Sequence, residues 1–157
     1  LFAHLEEHGL AFNRESVIAR CVELKRNVVM EDEFDTGARM RLNLGHTIGH
    51  GVEAQSNFTV SHGKAVAIGM AIVSRAGAKL GICGEYTRDQ IVNILYLFGL
   101  PTATDCTADD IYASALSDKK RSGESITIVV PTAVGKSELK RIPVSELISW
   151  AKDGTEI

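Results

Sequence analysis

Residues 39–62 read RMRLNLGHTIGHGVEAQSNFTVSH and contain three of the five histidines of the chain. In a single helix over residues 39–53, the polar side chains would follow one another at steps of four, three, four and three, the spacing that normally builds an apolar seam. These side chains are Arg39, Asn43, His46, His50 and Glu53. Burying polar groups without partners costs about 1–3 kcal/mol each. The stretch therefore predicts a helix whose polar face lies against a ligand, a metal ion or water.

The composition is that of an ordinary globular protein. The chain has 157 residues, enough for one domain with its own core, and a net charge of -3. We expect no nucleic-acid partner, because such partners are met by clustered Lys and Arg. We also expect no membrane span, because the chain lacks an apolar run of about eighteen residues.

Cysteine usage and the start of the chain bear on its origin. Cys21, Cys83 and Cys106 are odd in number and widely spaced, which argues against a disulfide framework and favours a reducing cytoplasm. Leu1 opens directly into a helical pattern without a targeting segment. We expect that an N-terminal part is missing; the alternative is a complete protein whose disordered start was trimmed.

Periodicity and turn signals predict one mainly helical domain over residues 1–157 with a small β-hairpin near the C-terminus. Gly9 should end the first helix, Asn13 or Ser16 should cap the second, and Thr107 should cap a short later one. The predicted helices cover residues 2–8, about 13–30, 62–80, 87–98, 108–117 and 144–150; the predicted strands cover 126–130 and 137–141.

Two of these helices differ in their expected burial. The helix over 62–80 is the most hydrophobic stretch and should be central, with Gly69 and Gly77 allowing neighbouring helices to approach closely. In the second helix, Val17, Cys21, Leu24 and Val28 should form an apolar stripe. Lys25 flanks that stripe, so its ammonium points either toward the interior or, by snorkelling of its stem, into water.

His46 and His50 form an i, i+4 pair, a common way for a helix to hold a divalent metal. On its own this spacing is weak evidence. His62 strengthens it, because a histidine at a helix N-terminus is disfavoured as a cation and is then a better ligand.

The same residues carry a family resemblance. Arg39, LNLGHTIGHGVEA at 42–54 and HGKAVAIGM at 62–70 resemble 3-dehydroquinate synthases. The similarity extends to VELKRNVVMEDEFDTGAR before the histidines and SDKKRSGESITIVVPTAVGKSEL after them. It implies a dehydroquinate synthase-like C-terminal helical domain, separated from an N-terminal domain that binds NAD+.

The resemblance also implies a set of metal ligands that differs from the i, i+4 pair His46 and His50. The metal, Zn2+ or another divalent ion such as Co2+, would be held by His46 and His62 together with an upstream glutamate whose motif this chain lacks. Two histidines would leave the catalytic site incomplete.

Roles for the remaining polar residues follow from the same resemblance. Lys25 and Arg39 match positions that hold the substrate carboxylate. Asn43, His50 and either Lys119 or Lys120 match positions around the substrate phosphate, and His50 would assist proton transfer. Without the resemblance, the two lysines would be interpreted as part of a solvated loop.

The reaction implied is that of a carbon–oxygen lyase of the shikimate pathway. It converts 3-deoxy-D-arabino-heptulosonate 7-phosphate to 3-dehydroquinate and phosphate, with NAD+ bound mainly by the missing N-terminal domain. We expect the isolated chain to be inactive and the full-length protein to be a cytoplasmic homodimer.

Three alternatives stay open. The family commonly has Glu where this chain has Lys64, which leaves room for a related sugar phosphate cyclase. A metal-dependent, NAD-linked polyol dehydrogenase also presents two histidines from its helical half, but needs no carboxylate or phosphate pocket. The third alternative is a non-catalytic helical binding module.

Overall fold

The computed structural model describes residues 1–34, 37–117 and 124–156. Within these ranges the predicted class, mainly helical with one hairpin near the C-terminus, is confirmed. The α-helices are α1 (Phe2–His8), α2 (Arg14–Glu31), α3 (His46–Gln55), α4 (His62–Lys79), α5 (Glu85–Leu97), α6 (Ala108–Ser117) and α7 (Leu147–Thr155). Strands β1 (Ser125–Ala133) and β2 (Lys136–Pro143) form the hairpin, and short 3₁₀ helices cover Gly9–Ala11, Ala38–Asn43 and Val144–Glu146.

The helix boundaries follow local signals. Gly9 ends α1 with φ of 51°, and Asn13 caps α2 by accepting a hydrogen bond from the Ser16 backbone N–H at 2.9 Å. At the start of α6, the Thr107 hydroxyl accepts from the Asp110 N–H while the Asp110 carboxylate accepts from the Thr107 N–H. This reciprocal arrangement is a capping box, so the predicted caps at Asn13 and Thr107 are confirmed.

Helix α4 forms the centre of the core, as predicted. Its buried residues include Ile68 and Ile72, and it packs on α3, α5, α7 and β1. At its C-terminal end, the Lys79 ammonium contacts Asp153 at 2.7 Å and Glu156 at 2.8 Å. These carboxylates raise the pKa of Lys79 above its usual range, and they join the end of α4 to the region of α7.

The hairpin is antiparallel and longer than predicted, with Ile126 opposite Ile142 and an irregularity at residues 131–133. Its first strand lies close to α4, because a Cβ placed on Gly77 would be 3.0 Å from Val130 Cγ1. The close neighbour of Gly77 is therefore a strand, and the predicted approach of a helix at this position is wrong.

The single helix predicted over residues 39–53 is wrong. Residues Ala38–Asn43 form a 3₁₀ helix, and α3 begins only at His46. Gly45 separates the two with a left-handed backbone, φ 79°. This conformation, which glycine adopts readily, interrupts the helical path. His46, His50 and Glu53 still share one helix, α3, whereas Arg39 and Asn43 belong to the preceding 3₁₀ helix.

The apolar stripe predicted for α2 does not pack into the core. Every residue of Arg14–Glu31 is exposed or half-buried, and Cys21 and Leu24 belong to the exposed group. Lys25 is also exposed, which agrees with the second of the two alternatives, an ammonium directed into water. Within the described ranges, no helix combines the length and apolar character needed to cross a membrane.

Candidate functional site

Glycines bring the start of α3 into backbone contact with α4. A Cβ on Gly45 would lie 2.6 Å from both Val66 O and Met70 N, and a Cβ on Gly49 would lie 2.9 Å from Ala65 O. On the opposite helix, a Cβ on Gly69 would collide with the carbonyl oxygen of Gly45. Larger side chains at these positions would force the two backbones apart.

This close approach gathers three imidazole rings. The ring centroids of His46 and His62 are 5.3 Å apart, those of His46 and His50 are 5.7 Å apart, and those of His50 and His62 are 5.9 Å apart. His46 and His50 are half-buried on α3, and His62 is more exposed at the first residue of α4. The three histidines singled out in the sequence therefore form one cluster across the α3–α4 contact.

In both His46 and His62, an oxygen acceptor lies next to Nδ1 and favours a proton on that nitrogen in the neutral ring. His46 Nδ1 lies 3.3 Å from the Leu44 carbonyl oxygen, and His62 Nδ1 lies 3.1 Å from Glu53 Oε2. A carbonyl and an ionised carboxylate only accept hydrogen bonds, so each Nδ1 must donate. In both rings the lone pair then resides on Nε2, the form in which an imidazole binds a metal.

This donor set fits a borderline divalent ion such as Zn2+, which takes neutral imidazole nitrogen. Yet no group of three or more His, Cys, Asp or Glu side chains within residues 1–34, 37–117 and 124–156 is arranged to hold an ion. A metal site that includes His46 and His62 therefore stays a prediction.

Arg39 is positioned by the segment that precedes α3. The Asp32 carboxylate accepts hydrogen bonds from the backbone N–H groups of Gly37 at 2.7 Å and Arg39 at 3.0 Å. The Arg39 guanidinium donates through Nη1 to the Glu33 carbonyl oxygen at 2.8 Å. Because a guanidinium has five N–H donors, this bond leaves capacity for an anionic ligand.

The other predicted residues have separate surroundings. Asn43 lines a small crevice that also includes Thr47, Val129 and Trp150, and Lys25 is exposed on α2. Lys119 and Lys120 lie outside the described residues. The structure therefore brings together the three histidines, whereas a common site with Asn43 and Lys25 stays a prediction.

Glu53 was not among the predicted site residues, although the sequence places it on the polar face of α3. The sequence feature that could have identified Glu53 is its position three residues after His50, because side chains at this spacing lie on the same side of a helix. Its contact with His62 depends on the path of the chain between α3 and α4, and periodicity carries no information about that path.

An apolar groove of about 440 Å³ lies elsewhere, among α1, α4, α5 and the hairpin. Phe2, Leu5, Ile94 and Phe98 are among its lining residues, and none of the predicted site residues lines it. Its apolar character does not match the anionic, phosphorylated substrate expected from the sequence.

Comparison with known proteins identifies the family. Residues 2–121 match the family model described as 3-dehydroquinate synthase C-terminal. The chain is 41% identical over 136 residues to the 3-dehydroquinate synthase of Streptococcus suis, covering 85% of this chain and 38% of the relative. It is 39% identical over 142 residues to that of Streptococcus thermophilus, covering 89% of this chain and 40% of the relative.

Solved structures agree on the fold. A 2-epi-5-epi-valiolone synthase from Streptomyces hygroscopicus, with NAD+ and Zn2+ bound, matches with a TM-score of 0.80 at 23% identity, over 96% of this chain and 44% of that one. A 2-deoxy-scyllo-inosose synthase complexed with carbaglucose-6-phosphate, NAD+ and Co2+ matches with a TM-score of 0.77 at 22% identity, over 89% of this chain and 42% of that one. The chain spans about two fifths of the length of the curated relatives it matches. It belongs to the 3-dehydroquinate synthase family, and it corresponds to the C-terminal domain of that family.

Proposed function

We propose that this chain is the metal- and substrate-binding domain of a 3-dehydroquinate synthase. Joined to an N-terminal NAD+-binding domain, it would convert 3-deoxy-D-arabino-heptulosonate 7-phosphate to 3-dehydroquinate and phosphate. The observation that carries the proposal is the contact between the rings of His46 and His62, with centroids 5.3 Å apart, in a chain that belongs to this family. The protein would act in the cytoplasm as a homodimer.

His46 and His62 would hold the metal through Nε2. Their Nδ1 atoms face the Leu44 carbonyl and the Glu53 carboxylate, so neutral rings have the required tautomer. Zn2+ or Co2+ would supply Lewis acidity that polarises a substrate hydroxyl or carbonyl. The bound ions of the two fold neighbours, Zn2+ and Co2+, support this choice of metal.

His50 would act at the phosphate side of the site. Its ring lies next to both proposed ligands, 5.7 Å from that of His46 and 5.9 Å from that of His62, centroid to centroid. A neutral imidazole at this position can act first as a general base and then as a general acid. Asn43 and one of Lys119 or Lys120 would contribute donors to the same phosphate.

Arg39 and Lys25 would hold the substrate carboxylate. Arg39 is anchored by its own backbone N–H to Asp32 and by one side-chain bond to Glu33. A planar guanidinium suits a carboxylate because two parallel N–H···O bonds form at once. Lys25, exposed on α2, would add a point charge.

Substitution of Arg39 in the full-length protein tests this function against a polyol dehydrogenase. Loss of one partner of a desolvated charge pair costs about 2–5 kcal/mol. For a synthase, Arg39→Ala should therefore lower kcat/KM by more than about 30-fold. Arg41→Ala, at an exposed position on the same 3₁₀ helix, is the control and should change it by less than about threefold. A polyol oxidation rate that survives Arg39→Ala would favour the dehydrogenase.

A second experiment addresses the domain requirement. The purified 157-residue chain, supplied with Zn2+, NAD+ and substrate, should show no steady-state formation of 3-dehydroquinate. Sustained turnover by this chain alone would contradict the proposal, because it assigns NAD+ binding and one metal ligand to another domain.

A related sugar phosphate cyclase is the second candidate, favoured by Lys64. The residue lies two positions after His62 in α4, and its side chain is exposed. Product identification by NMR with the full-length enzyme distinguishes the two, because 3-dehydroquinate should form only from the seven-carbon acid phosphate. Cyclisation of a sugar phosphate that has no carboxylate would support the alternative.

A further inference from the structure

Glu53 contacts His62 across the α3–α4 junction. Its Oε2 lies 3.1 Å from His62 Nδ1, and its side chain is only 20% exposed, whereas that of His62 is 55% exposed. The carboxylate is thus the more enclosed partner. It belongs to the last turn of α3 and meets the ring at the first residue of α4.

The backbone around Glu53 holds this contact in place. The Glu53 carbonyl oxygen accepts hydrogen bonds from the Ser56 hydroxyl at 2.8 Å and from the Phe58 N–H at 3.0 Å. The Ser56 hydroxyl in turn accepts from the Val60 N–H at 3.2 Å. These bonds tie the short connection between the helices to the backbone of Glu53, and so they hold the end of α3 close to the start of α4.

We propose that Glu53 is a positioning residue that sets the tautomer and the ring orientation of His62 for metal binding. An ionised carboxylate can only accept, so its bond to Nδ1 keeps the proton there and leaves the lone pair on Nε2. Without this partner, the neutral ring would shift toward the Nε2-protonated tautomer that histidine favours in water, and that tautomer cannot bind a metal through Nε2. Carboxylates that orient ligating histidines in this way typically contribute tenfold to a hundredfold in metal affinity.

This inference rests on the proposed role of His62 as a metal ligand, so the test has one arm that does not depend on metal. In the metal-free 157-residue chain near pH 8, where histidines are mostly neutral, ¹H–¹⁵N NMR of the ring nitrogens should show His62 protonated on Nδ1. Glu53→Ala should shift His62 toward the Nε2-protonated form. Glu53→Gln, which retains an acceptor oxygen, should partly restore the original tautomer.

The matched control is Gln55→Ala. Gln55 is on the same helix, and its amide donates to the Asp110 carbonyl oxygen at 3.2 Å and to Ser114 Oγ at 3.3 Å. Gln55→Ala removes the hydrogen bonds between α3 and α6, which do not involve His62, and it should leave the His62 tautomer unchanged. Backbone NMR spectra of each variant verify that the fold is retained.

The second arm is a Zn2+ titration of the same variants, followed by the ring-nitrogen shifts so that weak binding is measurable. Glu53→Ala should weaken Zn2+ binding by about tenfold or more, and Gln55→Ala should change it by less than about twofold. An unaltered tautomer, or an unaltered Zn2+ affinity in Glu53→Ala, would overturn the positioning role. If the tautomer shifts but the unsubstituted chain shows no Zn2+ response, the control of His62 by Glu53 stands and the proposed metal function of this chain fails.

Discussion

Helices α2 and α4 each contain 18 residues, but their surroundings are very different. Ten residues of α4 are buried, among them Ala65, Ile72 and Gly77. In α2, Ile18 and Val22 are each 62% exposed and Met30 is 77% exposed. Both helices were predicted from local signals. Formation of a helix therefore says little about whether its apolar side chains find a partner.

The candidate site is built on the packed pair of helices. Glycine contacts between α3 and α4 bring the rings of His46 and His62 together, while α2 carries Lys25 on an exposed surface. The contrast predicts that substitutions at the α3–α4 contact change stability and metal binding together. Substitutions on α2 should have much weaker effects on stability.

The largest expected effect is the truncation of Ile72 in α4. Its side chain is fully buried, so Ile72→Ala should lower the free energy of unfolding by about 2–5 kcal/mol through lost burial and the resulting cavity. Ile18→Ala in α2 is the matched control and should change it by no more than about 0.5 kcal/mol. Urea denaturation followed by circular dichroism measures both, and equal losses would show that α2 is buried in solution.

The next effect concerns the helix contact itself. Gly69→Ala would place a methyl group against the Gly45 carbonyl oxygen, and such overpacking typically costs about 1–3 kcal/mol. It should also alter the NMR signals of His46 and His62, because α3 must move. Gly63→Ala is the control in the same helix: an added Cβ there meets no atom within 4 Å among the described residues. A wild-type-like Gly69→Ala variant would contradict the backbone contact.

Metal affinity provides the third prediction. His46→Ala should weaken Zn2+ binding to the chain by more than about tenfold, or 1.4 kcal/mol, because one of two proposed ligands is lost. His8→Ala is the control. His8 also has an Nδ1 hydrogen bond to a backbone carbonyl, that of His4 at 2.9 Å, but lies on α1. Isothermal titration calorimetry should separate the two, and equal losses would point to nonspecific binding.

The smallest expected effect concerns a helix cap and depends on pH. The Thr107 hydroxyl and N–H donate to the Asp110 carboxylate and lower its pKa. A lowered pKa means that the stabilisation is present at neutral pH and is lost as the pH falls through that lowered value. Asp110→Asn should therefore reduce Tm slightly at pH 7, and the difference from the parent should shrink in acid.

Asp109→Asn serves as the control for this cap, because Asp109 is exposed in the same first turn of α6. Its effect on Tm at pH 7 should be smaller than that of Asp110→Asn. By contrast, α2 begins on the neutral Asn13, so its cap should be insensitive to acid. A Tm difference for Asp110→Asn that persists unchanged in acid would rule out the carboxylate as the source.

Several features were predictable because they depend on neighbours in sequence. The caps at Asn13 and Thr107 and the end of α1 at Gly9 are local, as is the burial pattern that marks α4 as central. The prediction of a continuous helix over residues 39–53 was wrong because Gly45 adopts a left-handed backbone conformation, which the spacing of polar residues does not reveal. The predicted burial of the apolar stripe on α2 was wrong because burial requires another element that packs against the helix, and periodicity carries no information about such an element.

The sequence by itself determined the family, through the ordered motifs around His46 and His62, and most of the helix boundaries, through caps and periodicity. Only the tertiary structure decided that His46, His50 and His62 form one cluster, and that Glu53 faces His62 at 3.1 Å. The physical reason is distance along the chain. Local spacing specifies which side chains share one helix face, whereas contacts between helices depend on the backbone approach that Gly45, Gly49 and Gly69 permit.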